Sequence, residues 1–241
     1  MTRSIVVTGG GTGIGRATAA RFAAAGEAVT ILGRRADVLA ETAAQLGATA
    51  VVCDVSDPEA LTAALPQLPA QVDVLVNNAG GNTDLQRPAA GTLADVAAAW
   101  RANLDANLLS AVLTTTLLAD RLQAGGTVVG IGSIAADRGS GGGAYGATKA
   151  GLATWNIDLA GQLGPRGITA NVVSCGYIAE TEFFADRLTD ERRATLVGQT
   201  KTGRAGTPDD VAALIEYLAS PGARHITAQV INVNGGAFPS R

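Results

Sequence analysis

The chain has 241 residues, 47% of them hydrophobic, 16% charged and 4% aromatic, with a net charge of −3. So much apolar material excludes a disordered, solvating chain, and a mildly acidic balance with no Lys/Arg block argues against binding nucleic acid through its phosphates. Two cysteines, Cys53 and Cys175, make neither a disulfide framework nor a ligand spacing, and the single histidine, His225, is too little for a metal site or for Ser-His-Asp or Cys-His catalysis.

In chain order, Met1–Thr8 leads directly into a strand pattern with no signal peptide, and no later apolar run reaches the roughly 18 residues that span a bilayer. A cytoplasmic protein with no membrane partner is expected. Strands are expected at Ser4–Thr8, Ala28–Leu32, Ala48–Cys53, Val72–Asn77, Thr127–Ile131, Ile168–Val173 and Gln229–Val233. They read as continuous apolar runs, the pattern of strands covered on both faces of a parallel sheet. Helices are expected at Gly13–Ala25, Ala36–Gln45, Pro58–Leu65, Leu93–Leu122, Ala144–Leu163 and Pro208–Leu218. Gly26 and Gly47 stand where a positive φ would close a helix, and Asp57-Pro58 and Thr207-Pro208-Asp209-Asp210 read as helix starts. Regular strand–helix alternation predicts an α/β fold, a doubly wound parallel sheet of about seven strands with helices on both faces. With no linker, repeat or composition break, residues 1–241 read as one domain. The charged stretch 180–204 falls outside the rhythm and is expected to be a helical flap over a site, and Gly139–Gly143 is expected to be a flexible loop.

The first strand runs into Thr8-Gly9-Gly10-Gly11-Thr12-Gly13-Ile14-Gly15, which opens a helix. Gly9 permits a tight turn, Gly13 lets the backbone approach a pyrophosphate, and Gly15 lets the helix pack on the strand, while free N–H groups at the helix N-terminus face the anion. Gly9, Gly11, Thr12, Gly13, Ile14 and Gly15 are therefore candidate dinucleotide contacts. At the end of the second strand an acid would bond an adenosine ribose hydroxyl, whereas Arg suits a 2′-phosphate. Gly33 stands where that acid would be and Arg34 and Arg35 follow, which points to NADP(H) over NAD(H). The plainer reading of these arginines is a solvated loop before a helix. Tyr145 and Lys149 stand four apart, on one face of a helix start. A phenol titrates near 10, too high for proton transfer at neutral pH, and a neighbouring ammonium would lower it. Alone, the pair is a weak signal and reads more plainly as a solvated helix start.

Taken together, these motifs resemble the short-chain dehydrogenase/reductase family over nearly the whole chain. The glycine turn matches its TGxxxGxG, and Asp54-Val55 after the third strand resembles its adenine-contacting pair. Asn77-Asn78-Ala79-Gly80 matches NNAG after the fourth strand, Asn103 the active-site helix asparagine, Ser133 the catalytic serine and Tyr145/Lys149 the YxxxK pair. Gly203–Ala212 and Val233–Gly236 look like the segments that close the family's fold. The resemblance implies a Rossmann-type fold in which Ser133 bonds a substrate carbonyl oxygen and Tyr145 protonates it as a nicotinamide gives hydride to the carbon. Lys149 would then lower the Tyr145 pKa and hold the nicotinamide ribose, and Asn103 would position a relay water. Asp54, Val55, Asn78, Ala79, Gly80, Gly176, Ile178 and Thr181 would line the cofactor with the turn. The plainer alternatives are a strand-end serine bonded to backbone and a solvent-facing helix asparagine.

Three departures stand out. Cys175 replaces the family's proline after the sixth strand, the spacing from Gly176 to Thr181 is a residue longer than usual, and Gly130-Ile131-Gly132 precedes Ser133 where relatives have Asn-Ile-Ser. Cys175 is expected to be a packed residue and not a nucleophile. The function that follows is an NADP(H)-dependent carbonyl reductase resembling the 3-oxoacyl-carrier-protein and polyketide ketoreductase branch, taking a small or carrier-linked ketone. The alternatives are an NAD-linked alcohol or sugar dehydrogenase and a silent dinucleotide sensor. Arg187, Arg192, Arg193, Lys201 and Arg204 in the flap would receive an acidic carrier or simply solvate a helix. By resemblance a homotetramer or dimer is expected, built through the helices after the fourth and fifth strands and the C-terminal strand.

Overall fold

The computed structural model describes residues 2–86, 91–139, 141, 143–184 and 187–239. The strands are β1 (Ser4–Thr8), β2 (Ala28–Gly33), β3 (Thr49–Val52), β4 (Val72–Asn77), β5 (Leu122–Ser133), β6 (Thr169–Cys175) and β7 (Val230–Val233). The helices are α1 (Gly13–Ala24), α2 (Ala36–Leu46), α3 (Pro58–Ala64), α4 (Leu93–Leu104), α5 (Ser110–Leu118), α6 (Ala135–Arg138), α7 (Ala144–Leu163), α8 (Asp190–Gly198) and α9 (Pro208–Leu218). The strands form one parallel sheet in the order β3-β2-β1-β4-β5-β6-β7.

Successive strand side chains point to opposite faces, so a strand buried on both faces feeds two cores. In β1, Ile5 and Val7 join Phe22 of α1, Leu39 of α2 and Ile215 of α9, whereas Val6 joins Leu61 of α3, Leu118 of α5 and Leu159 of α7. That division explains the continuous apolar runs. Helix ends follow their local chemistry. Gly26 and Gly47 take φ of +80° and +66°, the Asp57 carboxylate accepts the Glu59 and Ala60 N–H groups that open α3, and Thr207 with Asp210 makes a reciprocal cap on α9. Among the described residues no helix is long and apolar enough to cross a membrane.

The single helix expected over Leu93–Leu122 is interrupted. A wide π turn over Asp105–Leu109 separates α4 from α5, which ends at Leu118 before a short 3-10 turn. The Arg121 guanidinium donates to the carbonyls of Leu65, Leu68 and Pro69, and this anchors the chain at the bottom of the sheet. Strand β5 therefore starts at Leu122, opposite Val72, five residues before the expected Thr127, with a register irregularity between Val72 and Val74. Strand β6 likewise runs on to Cys175, past the expected Val173. In the loop 139–143 Ser140 and Gly142 lie outside the described residues, as do Ala185 and Asp186 of the flap and the last two residues of the chain.

Strand order reverses between β1 and β4, which lie side by side. The connections leaving their C-terminal ends go to opposite faces and open a crevice, the general ligand position of such sheets.

Candidate active site

The glycine turn and the loop after β4 are laced together at that crevice. The Asn78 side-chain amide donates to the Thr8 and Gly9 carbonyls, and Thr8 Oγ1 accepts the Asn78 and Ala79 N–H groups at 3.0 and 2.9 Å. Gly9 takes φ +64° and Gly13 +51°. A Cβ at Gly15 would run into the Gly9 carbonyl and stand 2.5 Å from the Asn78 amide, so Gly15 lets α1 dock on the turn itself rather than on the strand. Gly10 is also forced: its Cβ would stand 2.6 Å from the Ile31 side chain. Ile14 packs into the core below, and Thr12, the residue before α1, makes no side-chain cap, with no acid in the first turn. A sharp turn with uncapped helix N–H groups fits a pyrophosphate. Around it stand Arg34 and Arg35 after β2 and Asp54 and Val55 after β3, with Arg34 Nη1 3.8 Å from Asp54 Oδ2. A cleft of about 400 Å³ borders the turn, with Arg16, Glu180 and Glu182 in its walls.

At the neighbouring strand ends lie the groups expected to react. Ser133 ends β5, pairs with Cys175 in the register, and accepts the Ala135 N–H on its Oγ at 3.1 Å. Tyr145 and Lys149 are both buried in the first turns of α7. Burial pushes the Tyr145 phenol well above its ordinary value, against a smaller downward pull from the Ser133 hydroxyl. Burial also lowers the Lys149 amine to about 8. Lys149 Nζ donates to the Ile131 carbonyl at 2.7 Å and lies 5.8 Å from the Tyr145 ring centre. The acidification of Tyr145 by Lys149 is thus corrected for this arrangement: the amine is held by a backbone carbonyl, and desolvation of the phenol dominates. Burial drives the Cys175 thiol up to about 12, which leaves it a packed thiol.

Residues 9–237 match a family model described as enoyl-(acyl carrier protein) reductase. A putative oxidoreductase of Mycobacterium tuberculosis is 38% identical over 238 residues, 97% of each chain. The 3-oxoacyl-[acyl-carrier-protein] reductase of Escherichia coli is 35% identical, over 97% of this chain and 96% of that one. A solved short chain dehydrogenase from Burkholderia cenocepacia, in complex with NADP, superposes with a TM-score of 0.84 at 33% identity, covering 98% of this chain and 97% of that one. The chain belongs to the short-chain dehydrogenase/reductase family. It is an oxidoreductase with the family's Rossmann-type sheet.

Within this short-chain dehydrogenase/reductase, one expected site residue is displaced. Asn103 is fully buried, but its amide is spent on the loop after β4: Nδ2 donates to Asp84 Oδ1 at 2.8 Å and to the Ala99 carbonyl, and Oδ1 accepts the Thr83 N–H. Asn107, one turn on, meets the NNAG loop instead. Its Oδ1 accepts the Gly81 N–H at 3.0 Å, its Nδ2 donates to the Gly81 carbonyl at 2.9 Å, and a Cβ at Gly80 would stand 2.6 Å from Oδ1. Asn107 lies in the π turn, a distortion that recurs at functional sites. Asn-Leu occurs twice, at 103–104 and 107–108, so motif matching alone had two equivalent choices.

Gly176, Ile178 and Thr181 follow β6, and Thr181 reaches the glycine turn. The Gly176 N–H donates to Val233, Ile178 bridges to Gly206, and the Thr181 methyl lies over Gly13, 3.3 Å from where its Cβ would be. Within this segment Glu180 takes a left-handed backbone conformation at φ +57°. Beyond it, Phe183 lies 5.5 Å from the Tyr145 ring and 4.9 Å from Phe184, which in turn meets Tyr177 at 5.9 Å. Of the flap cations, Arg204 is bound by Asp210 and Arg193 lies 3.9 Å from Asp190.

Proposed function

We propose that this protein is an NADP(H)-dependent reductase of ketones, acting on 3-oxoacyl thioesters or polyketide-like carbonyls. The observation that carries the reading is a Tyr145 phenol buried beside the Ser133 hydroxyl, four residues before the buried Lys149, at strand ends shared with the glycine turn. Ser133 hydrogen-bonds the substrate oxygen and stabilises the charge that develops there. Tyr145 transfers its phenolic proton to that oxygen, so the O–H bond of the tyrosine breaks as that of the alcohol forms. Bound nicotinamide supplies the hydride that reaches the carbonyl carbon. The glycine turn and the α1 N-terminus would hold the pyrophosphate, Lys149 the nicotinamide ribose, and Arg34 and Arg35 the adenosine phosphate. Support for the thioester comes from the Escherichia coli relative's name, and support for NADP from the ligand of the Burkholderia structure. An NAD-linked alcohol or sugar dehydrogenase is favoured by one observation, the pairing of Arg35 with Glu182.

This reading includes self-association and a cytoplasmic location. Exposed Leu93, Trp100, Leu109 and Ile157 on α4, the π turn and α7, with Val230 on β7, support a homotetramer or dimer. Tyr145→Phe removes only the transferable proton. NADPH oxidation with a 3-ketoacyl thioester should fall at least about 100-fold while NADPH binding, followed by its fluorescence, stays within about twofold. Substantial residual turnover would refute the proton-donor assignment.

A further inference from the structure

Arg35, read from the sequence as a receptor for the adenosine 2′-phosphate, already has an anion. Glu182 comes from a segment 147 residues away and takes both terminal guanidinium nitrogens, Arg35 Nη1 on Oε1 at 3.0 Å and Nη2 on Oε2 at 2.7 Å. The Thr12 hydroxyl at the mouth of the glycine turn donates to the same Oε2 at 3.3 Å. A forked guanidinium plus a hydroxyl at a helix start is the donor set that a phosphate would use. The placement is not casual. Glu180 spends a left-handed backbone conformation just before, and Thr181 is seated on Gly13, which delivers Glu182 to Arg35. The Arg35 guanidinium holds the Glu182 carboxyl below its ordinary value, so the competing group is ionised.

We propose that Glu182 is a specificity-determining residue for the cofactor: it is an internal anion on the 2′-phosphate receptor, which a 2′-phosphorylated nucleotide must displace and a nucleotide with a free 2′-hydroxyl need not. The proposal rests on the NADP(H) reading. Magnitudes decide the direction. Both side chains of the pair are more than half exposed, at 53% and 59%, which places its worth among weak surface ion pairs. A phosphate monoester carries about −1.5 to −2 at pH 7 against −1 for a carboxylate, so the nucleotide wins the guanidinium. Glu182 thus lowers the preference for the phosphorylated cofactor without abolishing it.

The test is calorimetric binding of adenosine 2′,5′-bisphosphate and of 5′-AMP, which differ only in the 2′-phosphate, to the intact wild-type chain and to Glu182→Gln. The variant should bind the bisphosphate roughly two- to fivefold more tightly, the scale of an exposed ion pair, with AMP unchanged. Glu41→Gln removes another carboxylate from the same cleft, one that accepts only from Gln45 Nε2 among the described residues, and controls for net charge; it should leave both affinities alone. If wild type prefers the bisphosphate and Glu182→Gln does not sharpen that preference, or Glu41→Gln sharpens it equally, the Glu182 role is refuted and the NADP(H) reading stands. If neither wild type nor Glu182→Gln distinguishes the two nucleotides, the NADP(H) reading itself fails and takes the proposal with it. A preference that appears only in Glu182→Gln supports both.

Discussion

Asn107 shows how much a single amide can organise. It closes on both backbone groups of Gly81 from within the π turn, so removing it strands an N–H and a carbonyl at the edge of the NNAG loop. Asn107→Ala should cost about 1–3 kcal/mol in urea denaturation, toward the low end because Gly81 is only half-buried. By loosening the NNAG loop that is laced to the glycine turn, it should also lower kcat about tenfold or more, whereas Asn103→Ala, which releases Asp84 and Thr83, should leave kcat within a few-fold; equal losses in the two variants would show that Asn107 does not position that loop for the reaction. Residues whose role follows from local backbone demands were legible in the sequence: Gly9 takes the positive φ that its place in the turn requires, whereas Gly15 was legible as a close contact but its partners, the Gly9 carbonyl and the Asn78 amide, were not. The choice between Asn103 and Asn107 was not, because it depends on where a helix widens by one residue.

At the scale of elements, short-range signals wrote most boundaries. Helix α7 covers the expected Ala144–Leu163 and α9 the expected Pro208–Leu218, the latter opened by Pro208 and the Thr207/Asp210 cap, which act within a few positions. Asp210 carries much of the α9 start: it bonds the Thr207 N–H and both terminal nitrogens of Arg204, which hold its carboxyl far below the ordinary range. Its folded pKa is depressed, so its contribution to stability is present above the unfolded value of about 4 and is lost as pH falls through the folded one. Asp210→Ala should therefore cost about 1 kcal/mol at pH 7, and the gap to wild type should narrow between pH 4 and pH 2.5 in chemical denaturation. The α4–β5 passage departs from its local pattern. Its Ala/Leu composition favours helix throughout, and only the Arg121 anchor and the pairing of Leu122 with Val72 convert its end to strand.

For the whole molecule, the apolar side chains left outside on α4, α7 and β7 make solution mass the decisive measurement of the proposed assembly. Light scattering at micromolar concentration should give a dimer or tetramer, and a monomer mass would contradict it. The sequence by itself determined the strand–helix order, the parallel sheet and the glycine turn, and it named Ser133, Tyr145 and Lys149 through a family's motif order, because periodicity, turn chemistry and motif order are all carried along the chain. Tertiary structure alone decided that Lys149 rests on Ile131, that Asn107 rather than Asn103 meets the NNAG loop, and that Glu182 reaches Arg35. Each is a contact between segments that only the closed sheet brings within hydrogen-bonding distance, and no local pattern encodes which partner arrives there.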